Sequence, residues 1–443
     1  MRLNTCYRSF LEALSHLLTP QLWKQAHQAW RKDHQPSRWK LKPLLWVLLR
    51  MAWCSGDSQE ERFAMARAAY VAAHPRERRP GETLAGFLQA LAKLPMPVLR
   101  AMGTSLREQI GDRFVDPLRI NGLLPIACDG ARSDCPRAEE LQQRLGEAGK
   151  AYSAPMVYLT ALVLLPLGLP WAWRWGKGTA SEHTHLRDLL PTLPERSLLV
   201  ADAGYLGYEL FAAILRAGAS FLVRLSSRAY LYTDTQTPLQ RFREGIVYYW
   251  PEKFRQCGLP PLKVRLLHVR GRGGDVWLLT NILDRHQLSR RTAARIYRWR
   301  WRNEGLFRDY KRLLNKTKLY SRTVKLVHRE AEGALLALQL LLLLAAGPPG
   351  RGQPLNVVLD SPRRTLLRLR GEIAALLHRL GPRQFAAYMR MLAVVRSEQC
   401  CRSSAKSRQD WPRRKKHKPP KAPIIRVLTE ALKQRMAKYL QAA

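Results

Sequence analysis

The sequence predicts an α/β protein in which a mixed-sheet core with a β-rich insertion is flanked by helical regions at both ends. Three observations lead there. Between residues 118 and 225 short apolar runs and helical stretches follow in the order three strands, helix, strand, helix, strand. Between 226 and 282 helical periodicity gives way to β-formers and turns (YLYTDTQ, IVYYW, VRLLHVR, DVWLLTN). Before 115 and after 289 the apolar spacing is helical.

Taken in order, candidate helices cover 6–17, 20–32, 43–54, 58–74 and 83–94, broken at Pro20, Pro36, Gly56 and the 75–80 segment. Pro20 and Pro43 suit first helical turns, where no N–H is needed. Trp23, Trp30, Trp39, Trp46 and Trp53 read as a Trp-rich helical core, with Lys24, Arg31, Lys32, Arg38, Lys40, Lys42 and Arg50 around it. The run 123–128 is a short strand ending at Asp129-Gly130. Strands at 156–166 and 168–175, a helix at 186–193, a strand at 197–201 ending at Asp202, a helix at 207–217 and a strand at 220–225 complete the core. A helical pattern without Pro runs from about Ser289 to Asn315 and stays helical through Leu344. Residues 355–396 are helical and dense in Arg, 402–422 read as a disordered basic linker, and a last helix covers 424–440. Three parts result: a helical domain over 1–115, the sheet domain over 116–345, and a basic helical region over 346–443.

The 443 residues carry 75 Lys+Arg against 34 Asp+Glu, a net charge of +41. The default partner of so basic a chain is a polyanion, most often nucleic acid, which makes 1–115 a candidate DNA-binding domain. A membrane is a weaker partner, because the most apolar run, Ala334 to Ala346, is shorter than the roughly 20 residues that span a bilayer. The first ten residues show no apolar h-region, hence no expected signal peptide. The seven Cys have no zinc-ligand spacing, so reduced thiols in a cytoplasmic protein are expected. The Arg-, Leu- and Ala-rich usage is that of a GC-rich bacterial coding sequence.

The helical stretch Tyr297–Lys311, YRWRWRNEGLFRDYK, places Tyr297, Arg300, Glu304 and Lys311 within about 60° of one another on a helical wheel, with Trp299, Leu306 and Leu313 on the other side. A lone carboxylate among cations suits a group that holds a divalent metal beside phosphates, or else a solvated basic face. Asp129 and Asp202 each follow a short buried strand, where ligands bind at the edge of an α/β sheet. Three carboxylates brought together repel unless a cation lies between them, and two Mg²⁺, with Mn²⁺ able to substitute, fit that need. Glu182-His183-Thr184-His185, with Asp134, reads as polar residues facing solvent rather than a second metal site, and Gly271-x-Gly273-Gly274 as a hairpin turn.

Tyr297-x2-Arg300-x3-Glu304-x6-Lys311 resembles the Y-x2-R-x3-E-x6-K (YREK) motif of the DDE transposases of bacterial cut-and-paste insertion sequences. Asp129 in CDG and Asp202 in DAGY resemble that family's first two acidic motifs, and the strand order resembles its ribonuclease-H-like core. The resemblance covers about 118–345. It implies that Asp129, Asp202 and Glu304 are catalytic and bind two Mg²⁺, and that Tyr297, Arg300 and Lys311 contact DNA phosphates. Arg308 joins them as a DNA contact, and Trp277 is the insertion's aromatic that holds a flipped base. The implied activity is cleavage at the terminal inverted repeats of the element, by way of a hairpin, and joining to target DNA. The implied state is a homodimer on paired ends in the bacterial cytoplasm, associated with the nucleoid. A non-catalytic DNA-binding descendant and a stand-alone ribonuclease-H-like nuclease are the alternatives. The intact set of acids and the full stripe speak against the first, the insertion and basic flanks against the second.

Overall fold

The computed structural model describes residues 9–30, 38–146, 154–226, 229–234, 242–270, 275–346, 361–398 and 422–441. The expected linker and the Gly271–Gly274 turn lie outside those residues, apart from position 422.

The N-terminal region is helical as expected, with α1 (Phe10–Leu17), α2 (Pro20–Ala29), α3 (Leu41–Trp53), α4 (Gln59–Ala73) and α5 (Leu84–Lys93). It also holds α6 (Met96–Phe114), which the sequence reading lacked. Pro97 sits in α6's first turn, where it costs no hydrogen bond. Trp39, Trp46 and Trp53 are buried, in keeping with a Trp-rich core. Arg50 is not on the surface, as expected, but buried under the rings of Trp46 and Tyr70.

The core strands are β1 (Leu124–Asp134), β2 (Met156–Leu164), β3 (Leu169–Lys177), β4 (Ser197–Ala201) and β5 (Ser220–Arg224). Around them lie α7 (Glu139–Leu145), α8 (Glu182–Leu189) and α9 (Tyr208–Arg216). β1 pairs antiparallel with β2 and parallel with β4, β2 antiparallel with β3, and β4 parallel with β5. This is the mixed α/β sheet the strand order led us to expect. One correction concerns β1, which runs on past Asp129 for five residues. Gly130 is no turn glycine. The Tyr158 hydroxyl lies where a Cβ would stand, so only glycine fits beneath that ring.

The insertion forms β6 (Tyr230–Thr233), β7 (Glu244–Tyr249), α10 (Glu252–Gln256), β8 (Leu262–Val269) and β9 (Val276–Thr280). It continues the core sheet, since β9 pairs with β5, and the full order is β10-β6-β7-β8-β9-β5-β4-β1-β2-β3. The edge strand β10 (Ile424–Val427) falls where a helix was expected, and pairs with β6. Helix α16 (Glu430–Gln441) follows, and Leu428 and Met436 pack with Trp250, Tyr232 and Tyr248 of the insertion. The C-terminal part is therefore not all-helical.

The stretch after Ser289 is not one helix. It divides into α11 (Arg290–Trp299), α12 (Trp301–Arg308) and a π turn (Asp309–Leu313). At Arg300 the backbone tightens, with Arg300 N–H bonded to the Tyr297 carbonyl and Asn303 N–H to the Arg300 carbonyl, both i to i+3. The helical pattern does not carry through to Leu344 either. Residues 314–323 form a non-helical link before α13 (Val324–Ala346). The carboxylate of Glu330 organises that link, accepting from Lys316 Nζ at 2.7 Å, from Ser321 N at 2.9 Å and from Tyr320 N at 3.1 Å.

Helix α13 is the spine of the molecule. Nearly all of it is buried, on one side against β3 and on the other against the N-terminal helices, so sheet and helices share one core. Trp53 Nε1 donates to the Ala337 carbonyl at 3.0 Å. Helix α14 (Pro362–Leu377) packs on the same side, and Glu372 accepts from the N–H groups of Phe10 and Leu11 at 2.9 and 3.0 Å, a carboxylate at the positive end of α1. Helix α15 (Pro382–Glu398) follows. No described helix is long and apolar enough to cross a membrane.

Candidate active site

The sheet register builds the centre of the site. Ala127 on β1 faces Val200 on the parallel neighbour β4. Two residues further along, Asp129 and Asp202 are therefore level on adjacent strands, about 5 Å apart in the backbone. Asp202 leaves its strand and caps the short turn Ala203–Tyr205, accepting from Ala203 N at 2.9 Å. Asp129 accepts from Gly130 N at 2.8 Å.

The Y-x2-R spacing brings two side chains onto this pair. Arg300 reaches between the carboxylates, with Nη1 3.8 Å from Asp129 Oδ2 and Nη2 3.8 Å from Asp202 Oδ2. Tyr297 donates its hydroxyl to Asp202 Oδ1 at 3.3 Å. Arg224, at the end of β5, adds a second guanidinium 3.7 Å from Asp202 Oδ1. The Arg300 side chain is only 8% exposed and its Nε has no hydrogen-bond partner among the described residues. Its guanidinium is flanked by Tyr297 and by Trp301, which is 60% exposed.

Asp129 is pushed up to about 6, chiefly by burial, with the Gly130 N–H and Arg300 opposing and the charges of Asp202 and Glu182 adding to the rise. Burial and the charge of Asp202 hold Tyr297 protonated, pushed up to about 12. Burial would lower Arg300, but Tyr297, Asp202 and Asp129 together raise it. The contacts from Arg300 and Arg224, at 3.7 to 3.8 Å, are longer than hydrogen bonds. A pair of hard oxygen donors with a cation already drawn between them fits a divalent metal. Asp129 and Asp202 are thus the donors this fold supplies outright.

The other expected site residues lie elsewhere. Glu304 is exposed on α12 and forms no hydrogen bond or ion pair among the described residues. No group of three or more His, Cys, Asp or Glu among the described residues could hold a metal. Lys311 lies in the π turn, lowered by burial and facing Asp134 and Arg132 towards the far end of β1. Arg308 is exposed, 3.6 Å from Asp309. Trp277 is half-buried on β9, stacked on His268 at 4.4 Å between ring centroids.

Sequence reasoning undervalued one residue. Glu182, first in α8, lies close enough to raise Asp129, and its Oε2 is 3.5 Å from where a Cβ on Gly204 would stand. The only signal was a carboxylate just after the Ser181 cap. What brings it to Asp129 is the crossing of α8 over the sheet, which no local pattern reports.

Three comparisons bear on this geometry. Residues 137–340 match the family model described as a transposase DDE domain, a stretch that includes Asp202 and Glu304 and begins just after β1. No curated protein matches the chain. Among solved structures, the chain is similar to a cryo-EM structure of the piggyBac transposase synaptic complex with hairpin DNA. The two share 8% identity over 87% of this chain and 85% of that one, with a TM-score of 0.46.

Proposed function

We propose that this chain is a DDE transposase, which cuts DNA at the ends of its element and joins those ends to target DNA by metal-dependent phosphoryl transfer. The observation that carries the reading is the level placement of Asp129 and Asp202 on parallel β1 and β4, with Tyr297 and Arg300 on top, in a chain whose residues 137–340 match a transposase DDE domain. The finer assignment, to the YREK group of bacterial insertion sequences acting in the cytoplasm at the nucleoid, rests on the spacing of Tyr297, Arg300, Glu304 and Lys311.

Asp129 and Asp202, joined by Glu304, would hold two divalent ions, Mg²⁺ or in its place Mn²⁺. Such ions, when bound, lower the pKa of an attacking water or 3′-OH and stabilise the leaving oxygen. The chain's own residues do the rest. The sheet edge fixes the carboxylates, so little reorganisation is needed there. Tyr297 and Arg300 present a hydroxyl and a fork of N–H donors suited to phosphate oxygens. Arg308, Lys311 and the exposed Arg291, Arg295 and Arg298 of α11 extend a basic track for the duplex. Trp277 would stack an extruded base. Two ends must be held together, so a homodimer on paired ends through a hairpin route completes the proposal.

One observation favours a second reading, a DNA-binding protein that does not cut. Arg300 lies where a metal would, and Glu304 stands apart. A labelled duplex carrying the element's terminal repeat separates the two. Cleavage that needs Mg²⁺, stops in EDTA and is lost in Glu304→Ala with binding retained establishes the transposase. Tight binding with no cleavage in Mg²⁺ or Mn²⁺ establishes the binder.

A further inference from the structure

A cleft of about 670 Å³ opens between α6, the edge strand β3 and the start of α13. It is large enough for a nucleotide or two and too small for a duplex. Trp173 and Trp175 alternate along β3 and so share one face, and with Trp171, at the bulge before them, they line the cleft. The polar edges of two of them are turned away. Trp171 Nε1 donates to the Thr192 carbonyl at 2.7 Å, and Trp173 Nε1 to Glu332 Oε1 at 3.0 Å. The buried Glu332 thus orients an indole ring whose face stays half-open to the cleft. Across from it, α6 passes at Gly103, where even a Cβ would lie 3.5 Å from the Trp173 ring.

Cations outnumber anions in this cleft. Arg174 is matched by Asp188 at 2.8 Å, and Arg329 is spent on the carbonyls of Leu94 and Lys325. Among the described residues the side chains of Arg100 and Lys325 have no hydrogen bond or salt bridge, and both residues are exposed. Arg107 and His328 stand beside them. Burial, and then the charges of Arg329 and Arg100, lower His328. Aromatic faces beside free cations, in a space of nucleotide size, are the chemistry that holds unpaired nucleic acid. Bases stack on the rings while phosphates meet the charges.

We propose that this cleft binds a single-stranded segment of DNA, with an unstacked base against Trp173 or Trp175 and its phosphates on Arg100, Arg107 and Lys325. Trp173 is in register with Ala161 and, through it, with Asp129, two strands or about 10 Å away. Its role, holding a strand unpaired near the cut, rests on the transposase reading. The binding itself does not.

The test uses the full-length protein and a ten-residue oligothymidylate carrying 5-iododeoxyuridine. After irradiation, the cross-linked peptide is mapped by mass spectrometry. The expected product is a cross-link within Trp171–Trp175. The paired substitution Arg100→Ser and Lys325→Ser should weaken single-strand binding about tenfold and flatten its log–log salt dependence by about 1.4, two phosphate contacts' worth. Cross-links mapping only elsewhere overturn the proposal. So does an affinity within twofold of the parent in a variant that keeps its circular dichroism. So does full displacement of the oligonucleotide by millimolar inorganic phosphate, which would make this a small-anion site. If the variant does not fold, the cross-link map of the parent decides. A protein that cross-links as expected yet never cleaves a duplex sinks the transposase reading and leaves this one standing.

Discussion

Two helical stretches follow one another in the sheet domain, and they could hardly be more different. Helix α13 runs for 23 residues without interruption, almost wholly buried. The stretch before it, from Arg290 to Leu313, tightens at Arg300, resumes, and then widens into a π turn. Neither Pro nor Gly lies at Arg300 to account for the tightening. The difference is one of task. Helix α13 is held along most of its length by packing, and regular geometry packs best. The earlier stretch must deliver Tyr297 and Arg300 to the aspartates while burying Ile296, Leu306 and Phe307 on two different surfaces. Departures from ideal local structure collect where side chains are presented rather than packed.

That contrast can be broken by substitutions in the two stretches. The largest effect should come from Glu304→Ala. We expect cleavage to fall at least about a thousandfold, on the order of 4 kcal/mol, with the melting temperature unchanged because the side chain is exposed. A drop in melting temperature as large as the loss in rate would mean that α12 is scaffold after all. Glu330→Ala on α13 should do the reverse. It strands Lys316 and the N–H groups of Tyr320 and Ser321, and should cost about 3–5 kcal/mol in denaturant unfolding. The DNA-cleavage rate per folded molecule would stay near that of the parent.

Glu332→Gln sharpens the picture by pH. Burial raises Glu332 to about 7. Its folded-state pKa therefore exceeds the unfolded value, and stability is greatest below pH 4.5 and declines as pH rises towards 7. The glutamine variant should lose that slope, gaining at most about 3 kcal/mol at pH 8 relative to the parent's decline. A slope that survives the substitution would assign it to another group. The smallest effect belongs to Gly305→Ala. Space around Gly305 is open, with only the end of Arg308 at 3.9 Å. Helix propensity alone predicts a gain of about 0.5–1 kcal/mol. If α12 has to shift for Glu304 to meet the aspartates, cleavage slows as stability rises. Both rising together would show that the stretch works as it stands.

The same division governs what could be read from the sequence. Strand β4 and the helix and strand after it stand almost where the apolar runs put them, because each is a buried element bounded by its own turn residues. Asp202 was placed by that boundary alone. Strand β1 was cut short because Asp129-Gly130 reads as a turn. The reason for the glycine, a tyrosine ring crossing from β2, is not local. Helix α6 was missed through Pro95 and Pro97, and β10 because four residues carry too little pattern to compete with the helix after them. The tightening at Arg300, the distance of Glu304 from the aspartates and the approach of Glu182 are products of tertiary packing. The Tyr, Arg, Glu and Lys spacing named residues that belong together in function. It did not say which of them the folded chain already brings together.

The edge strand β10 has a consequence for how the chain is made. It pairs with β6, whose residues leave the ribosome about 190 positions earlier. Throughout that interval the backbone groups along the open side of β6 have no neighbour from this sheet, and an unpaired edge invites other chains. Synthesis therefore passes through a long stage in which nearly everything is in place except the strand and helix that cover β6 and its neighbours. Slow translation or premature termination before Ile424 should yield protein that aggregates, rather than protein that is merely shorter.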